Sequence, residues 1–189
     1  VPADEEAGTN ESLGSFGIVT VDSSIEVSGV QDNPSRIEGH NGLGLAMEAT
    51  STGSPVLTMS DTEVSNNGRF GVVAYNGEMT LTDVNVNLTR NDDASCITDS
   101  GRRCNMAVAA WGSDLTWTGG SVKNSEAWGI TGVNGSMTID GGLFESNENM
   151  GVFGQATSFN ISNSTFTAGG SSGVLSNASS GVIQNCIFQ

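Results

Sequence analysis

The sequence is poor in basic residues and in histidine. Its 189 residues include 6 Lys and Arg, 21 Asp and Glu and one His, which gives a net charge of −15 at pH 7. A surface that binds nucleic acid needs a footprint of Lys and Arg, so this balance argues against nucleic-acid binding and against attachment to anionic membranes. It favours solubility, polyvalent cations or a saline environment outside the cell.

Long apolar runs and helical periodicity are also missing. No stretch approaches the 18 apolar residues that a membrane span requires, and none has the 3, 4, 7 spacing of an amphipathic helix. No signal peptide is visible and residue 1 is Val, so we expect a mature or excised piece. Residues 1–12 are acidic and have no pattern, which predicts a flexible leader before a single domain over 13–189.

What the sequence does contain is a repeat of 22 residues. Its apolar anchors recur at Val108, Ile130, Val152 and Val174, and each repeat holds three short alternating segments such as Met137-Thr138-Ile139. Alternation places one residue inside and the next outside, as in a strand. A fixed period of this length with short strands indicates a solenoid. A β-sandwich also has many short strands, but it gives no reason for strict 22-residue spacing.

The repeat predicts which residues stack in the interior of the solenoid. Equivalent positions of successive coils form columns, because each coil pairs with the next at about 4.8 Å. Four columns should point inward. They are Ile18, Leu45, Val72, Val108, Ile130, Val152 and Val174; Met59, Leu81, Trp117, Ile139, Ile161 and Ile183; Val64, Val86, Val122, Phe144, Phe166 and Phe188; and the small residues Ala74, Ala110, Gly132, Gly154 and Ser176. In the first coil we also assign Val19 and Val21 as the alternating anchors.

A further column predicts the tight corners of the coils. Equivalent places are occupied only by residue types that tolerate positive φ or hydrogen-bond their own backbone. They are Asp61, Asp83, Gly119, Gly141, Asn163 and Asn185. Asp61 and Asp83 could instead be stacked carboxylates for glycoside hydrolysis, but their place in this column favours a role in the turns.

The Gly-aliphatic step, as in Gly151-Val152, and the tail Phe144-Glu145-Ser146-Asn147 resemble known sequences. The chain resembles the right-handed parallel β-helix proteins of the pectate-lyase-like superfamily. The tail is similar to the Phe-x-x-Asn element of bacterial polymorphic outer-membrane and adhesin repeats. The resemblance implies an all-β, single-stranded right-handed parallel β-helix with three short strands per coil. It implies no one function, since this fold hosts lyases, hydrolases, tailspikes and adhesins.

One large insertion interrupts the repeat. Val86 and Val122 occupy equivalent positions but lie 36 residues apart, so 14 residues are inserted within about 89–105. Cys96 and Cys104 lie in this polar loop, and a disulfide between them would imply an oxidising, extracellular compartment. Metal binding by two cysteines without a nearby His is the alternative. The third cysteine, Cys186, falls in a small inward column, which predicts a buried thiol or one that pairs in a further coil.

The insertion also contains the candidate ligand residues. Long loops on rigid scaffolds often carry function. The alternative is a purely structural surface loop that is closed by the disulfide and covers part of the solenoid. A lyase of the resembled superfamily uses a basic residue beside carboxylates that hold Ca²⁺ or a uronate. The candidates are Asp92, Asp93, Asp99, Arg102 and Arg103. Of these, Arg102, Arg103 and Asp99 are the catalytic candidates, and Asp92, Asp93 and Asp99 would hold Ca²⁺. No catalytic residue and no cofactor is assigned beyond these candidates.

These features predict a secreted or cell-surface structural or adhesive module. The last segment stops directly after a strand, so we expect its open edge to meet further β-helix coils or another copy of the chain. The alternative is a carbohydrate-binding or polysaccharide-cleaving protein, and polysaccharide is the other expected partner. A third reading is ice binding, because Thr58, Thr80, Thr116 and Thr138 form an outward ladder like those of β-helical ice-binding proteins.

Overall fold

The fold is a parallel β-helix with three strands per coil. The computed structural model describes residues 16–50, 53–87, 89, 106–126, 128–167 and 169–189. These residues form 21 strands and three parallel sheets of seven strands each, so the all-β solenoid predicted from the repeat is confirmed. Successive strands of the chain belong to different sheets, and each strand pairs with the equivalent strand of the next coil.

The first sheet, sheet A, has the longest strands. It contains, in order along the solenoid, β1 (Ile18–Val21), β4 (Leu43–Glu48), β7 (Phe70–Tyr75), β10 (Met106–Trp111), β13 (Trp128–Val133), β16 (Met150–Gln155) and β19 (Ser172–Asn177).

The second sheet, sheet B, follows sheet A in each coil. It contains β2 (Ile25–Ser28), β5 (Val56–Ser60), β8 (Glu78–Thr82), β11 (Asp114–Thr118), β14 (Ser136–Asp140), β17 (Ser158–Ser162) and β20 (Ser180–Gln184).

The third sheet, sheet C, completes each coil with the shortest strands. It contains β3 (Ser35–Glu38), β6 (Thr62–Ser65), β9 (Asn85–Asn87), β12 (Ser121–Lys123), β15 (Leu143–Glu145), β18 (Thr165–Thr167) and β21 (Ile187–Phe188).

The register of the strands confirms the predicted interior columns. Val108, Ile130, Val152 and Val174 pair in sequence across sheet A, and Trp117, Ile139, Ile161 and Ile183 do so across sheet B. Val86 pairs with Val122, so the 36-residue step does span one coil of the solenoid. Because a slip of one residue would turn every side chain to the other face, these buried columns fix the register.

The first coil corrects one detail of the sequence-based prediction. Val19 and Val21 were assigned as anchors, but they point outward and are 43% and 47% exposed. Ile18 and Thr20 point inward instead, because Ile18 pairs with the buried Leu45. Ile18 and Leu45 lie 27 residues apart, so the 22-residue period could not identify the inward positions of the first coil.

The corners between sheets B and C have the predicted backbone conformation. All six residues of the predicted turn column have positive φ: Asp61 (45°), Asp83 (50°), Gly119 (68°), Gly141 (73°), Asn163 (51°) and Asn185 (53°). Asp and Asn tolerate this left-handed region better than most residues, and Gly adopts it freely.

The corners between sheets C and A are closed by buried polar side chains. Asn147 is 1% exposed. Its Oδ1 accepts a hydrogen bond from the Ser125 N–H at 3.1 Å, and its Nδ2 donates to the Val122 carbonyl at 3.1 Å. Asn67, also 1% exposed, makes the same pair of contacts to His40 and Ile37. Each amide therefore provides a partner for a buried backbone N–H at the corner of the preceding coil, and it also bonds a carbonyl in the strand before that corner.

Replacing Asn147 with leucine should lower the free energy of unfolding by about 2–4 kcal/mol. The change leaves the Ser125 N–H buried without a partner, at about 1–3 kcal/mol, and it removes the hydrogen bond to the Val122 carbonyl, at about 1 kcal/mol. Denaturant unfolding followed by circular dichroism measures the loss. The control is Asn160→Leu, the same change at an exposed position of β17, where we expect less than about 0.5 kcal/mol. Equal losses at the two sites would refute this role of Asn147.

Candidate functional site

The residues predicted to bind a ligand lie outside the described part of the chain. This holds for Asp92, Asp93, Asp99, Arg102 and Arg103, and also for the predicted disulfide between Cys96 and Cys104. Their roles, and the Ca²⁺ site, therefore remain predictions. The flanking residues are described, and both Thr89 (1% exposed) and Met106 (7%) are buried. The described part of the chain is thus interrupted between sheets C and A, and it resumes at Met106, the first residue of β10.

The acidic side chains of the described residues are dispersed along the coils. Within those residues, no group of three His, Cys, Asp or Glu side chains is placed to hold a metal ion. Two of the carboxylates on the outer face of sheet C form ion pairs, Glu63 with Arg36 at 3.2 Å and Glu145 with Lys123 at 3.0 Å. All four side chains are between 34% and 60% exposed, so each pair contributes little to stability.

Asp140 links the outer surfaces of two adjacent coils. Its Oδ1 accepts hydrogen bonds from Asn163 Nδ2 at 2.6 Å and from Ser162 Oγ at 2.8 Å. These two hydrogen bonds lower the pKa of Asp140 below its ordinary value, because they stabilise the ionised form, and the bond from Asn163 has the larger effect. All three residues lie at or beside the turn column. We therefore assign the Asp140 carboxylate a structural role, in which it joins two adjacent coils, rather than a catalytic one.

The predicted threonine ladder exists on the outer face of sheet B. Thr58 pairs with Thr80, Thr80 with Thr116 and Thr116 with Thr138, and all four side chains point outward. The column begins with Glu26 and continues with Asn160 and Val182. The regular part of this face is therefore four threonines long, with unlike residues at both ends.

Cys186 is half-buried and free, and it lies in the last described coil. Its Sγ lies 3.3 Å from the Gln184 carbonyl and 3.8 Å from the Ile161 carbonyl. Ser164 occupies the equivalent place one coil earlier and is 1% exposed. The inward position predicted for Cys186 is thus correct, although its burial is incomplete because no described coil lies beyond it.

The coil of residues 172–189, here called the terminal coil, exposes interior side chains. Ile183 is 43% and Phe188 53% exposed, whereas Ile161 and Phe166 at the equivalent places one coil earlier are 0% and 3% exposed. Phe144, Phe166 and Phe188 stack at successive centroid distances of 4.8 Å. The open side of the terminal coil is therefore apolar, and β19, β20 and β21 form the edges of the three sheets there.

A second apolar cluster, which the sequence-based reasoning missed, lies on the outer face of sheet A. It is separate from the interior core and is formed by the outward positions of sheet A. Its buried members are Ala46, Val73, Met106, Ala109, Trp128 and Phe153, and its half-buried members are Leu43, Phe70, Tyr75, Trp111 and Met150. We call this set the outer aromatic face. An apolar surface outside the core of a protein is a candidate interaction site.

The rings of the outer aromatic face contact one another across coils. Trp111 stacks on Tyr75 at 4.8 Å with an interplanar angle of 20°, and it meets Phe70 edge to face at 5.4 Å. Trp128 and Phe153 lie 5.0 Å apart. A sequence signal for this face existed: an apolar residue directly precedes the small residue of the Gly-aliphatic step at Phe70, Met106, Trp128 and Met150.

No helix among the described residues is long and apolar enough to cross a membrane. No protein-family model, curated protein or solved structure matches the chain.

Proposed function

We propose that the chain is a structural and adhesive β-solenoid module of a secreted or cell-surface protein, continued at its terminal coil by another β-helical coil. The observation that carries this proposal is the exposure of Ile183 and Phe188, because both belong to columns that are buried in every preceding coil from the second onward. Strand edges with apolar side chains favour pairing with further strands.

The geometry of the terminal coil favours a β-helical partner over an unrelated surface. Phe166 and Phe188 stack almost parallel, with an interplanar angle of 4° and a spacing of 4.8 Å. An incoming coil would pair with β19, β20 and β21 at the same spacing and cover the exposed ring of Phe188. Such a coil could come from the same polypeptide or from a second copy of this chain.

Because the chain is acidic, the association of two copies should depend on salt. Two copies that each carry a net charge of −15 repel one another, and added ions screen that repulsion. We therefore propose that self-association is weak at low ionic strength and increases with salt or with Ca²⁺. This behaviour fits the saline, extracellular setting that the composition favours.

Sedimentation of the purified chain tests the proposal. We expect the mass to rise with protein concentration at about 0.15 M salt, where the Debye length is about 8 Å. The double variant Ile183→Asp, Phe188→Asp should stay monomeric, because it places two carboxylates in the apolar contact. The matched control is Thr116→Asp, Thr138→Asp, which adds the same charge on the outer face of sheet B. If the wild-type chain stays monomeric at every concentration and salt level, self-association through this coil is refuted.

A further inference from the structure

We propose that the terminal coil binds the first coil of a second copy of the chain, so that copies stack head to tail along the axis of the solenoid. The inference rests on the proposed self-association of the terminal coil and names the surface that this coil meets. The first coil, residues 16–38, contains β1, β2 and β3, which form the opposite edges of sheets A, B and C.

The large apolar side chains that are exposed among the described residues all lie at the two ends of the solenoid. They are Phe16, Val19, Val21 and Val30 at one end, and Leu175, Val182, Ile183, Ile187 and Phe188 at the other. The interior residues Ile18, Ile25 and Val27 of the first coil are only half-buried, whereas their equivalents one coil later are 0% exposed. A contact between the two unlike ends covers both sets, whereas a contact between two terminal coils covers only one.

The interior columns of sheets A and B would continue across a head-to-tail contact. In a stack that keeps the register, each column meets its own other end: Val174 meets Ile18, Gly181 meets Ile25, and Ile183 meets Val27. Gly181 has no side chain, and the half-buried ring of Phe159 lies against it, so Ile25 would pack on that ring. In sheet C, Ile37 is already only 5% exposed, so the contact centres on sheets A and B.

Two further columns of sheet A carry matching residues at their two ends. One outward column begins at Val19 and ends at Leu175, and these two apolar side chains are 43% and 40% exposed. The small interior column begins at Thr20 and ends at Ser176, and only Met, Ala and Gly lie between them. Stacking therefore joins apolar to apolar and hydroxyl to hydroxyl, which are favourable pairs across neighbouring strands.

The distribution of charge excludes a contact between two first coils. The first coil carries one basic residue, Arg36, and four acidic residues, which are Asp22, Glu26, Asp32 and Glu38. Two such coils face to face would repel one another. Residues 149–189, by contrast, contain no charged residue, although the chain has 21 acidic and 6 basic residues. The terminal coil can therefore approach an acidic first coil without placing a like charge against it.

The direction of the strands favours the head-to-tail contact over one between two terminal coils. Neighbouring strands pair in parallel throughout the three described sheets, for example β16 with β19 and β17 with β20. Addition of a first coil continues this pattern at about 4.8 Å per coil. A contact between two terminal coils turns one copy over, so its strands would run antiparallel and unlike residues would meet. A head-to-tail contact leaves one free end of each kind, and it therefore grows into a filament.

Mixing two blocked variants tests the polarity of the contact with the full chain. Val19→Asp, Val21→Asp changes two exposed side chains and blocks the first coil, and Ile183→Asp, Phe188→Asp blocks the terminal coil. In sedimentation at about 0.15 M salt, each variant alone should associate at least about tenfold more weakly than the wild type, because carboxylates enter an apolar contact. An equal mixture should form dimers that grow no further, because each variant keeps one intact end.

The other outcomes separate this inference from the proposed self-association. If Val19→Asp, Val21→Asp alone still forms dimers, two terminal coils meet, and only the head-to-tail inference is overturned. A mixture that stays monomeric while the wild type associates also overturns it. A wild-type chain that never associates refutes both proposals. Thr116→Asp, Thr138→Asp, which adds the same charge away from the ends, should associate like the wild type. Circular dichroism checks the fold of each variant, and Val19→Asp alone replaces the double variant if that one does not fold.

Discussion

Replacing Trp117 with alanine should lower the free energy of unfolding by about 3–5 kcal/mol, the range found for removing a buried Trp or Phe side chain. Trp117 is 0% exposed and lies between Leu81 and Ile139 in the interior column of sheet B. Its indole N–H also donates a hydrogen bond to the Gly119 carbonyl at the corner of the coil. The substitution therefore leaves a cavity and a carbonyl without its partner.

Denaturant unfolding of Trp117→Ala measures this loss against two controls. Thr116→Ala changes the neighbouring outward residue and should cost less than about 0.5 kcal/mol. Trp111→Ala removes the same side chain from the outer aromatic face, where it is only half-buried, and should cost less than Trp117→Ala. A similar loss for both tryptophans would mean that the interior column is not the main source of stability.

Replacing Gly120 with alanine should lower the free energy of unfolding by about 2–5 kcal/mol. Gly120 has a φ of 65°, where a residue with a Cβ pays about 1–2 kcal/mol. A Cβ at this position would also lie 2.1 Å from the Val84 carbonyl oxygen of the preceding coil. The backbone must shift to relieve that clash, and such overpacking typically costs about 1–3 kcal/mol.

Gly141 provides a matched control for the clash at Gly120. It has a φ of 73°, but an added Cβ would meet its nearest neighbour at an ordinary 3.7 Å. Gly141→Ala should therefore show the conformational cost alone, about 1–2 kcal/mol. Gly141→Asn should cost less, because Asn163 and Asn185 already occupy this column with positive φ. Equal losses for Gly120→Ala and Gly141→Ala would contradict the close approach of the coils at Gly120.

The sequence predicted the interior of the solenoid well, for a physical reason. Parallel coils in register place equivalent residues on top of one another, so burial repeats with the length of the coil. The column of Val64, Val86, Val122, Phe144, Phe166 and Phe188 could therefore be identified from spacing alone. The prediction failed for Val19 and Val21, where the coil length differs and the period gives no guidance.

The outer aromatic face was harder to predict from the sequence. The 22-residue period identifies columns of residues that are buried inside the solenoid. An apolar residue at a neighbouring position of the same strand can point outward instead, and the period does not distinguish the two. Phe70 and Trp128 lie just before the Gly-aliphatic step, and the structure shows that they share one column and pack in a cluster separate from the interior core. The roles of Asp92, Asp93, Asp99, Arg102 and Arg103 stay predictions, because these residues lie outside the described part of the chain and the repeat gives them no equivalent positions in other coils.

Electron microscopy of negatively stained wild-type chain, prepared with and without Ca²⁺, tests the central claim most directly. If a second copy of the chain continues the terminal coil, single particles should join end to end into rods of constant width at physiological salt, and the rods should disappear in Ile183→Asp, Phe188→Asp. Particles that stay single under all conditions, or that associate side by side through the faces of their sheets, would contradict self-association through the terminal coil.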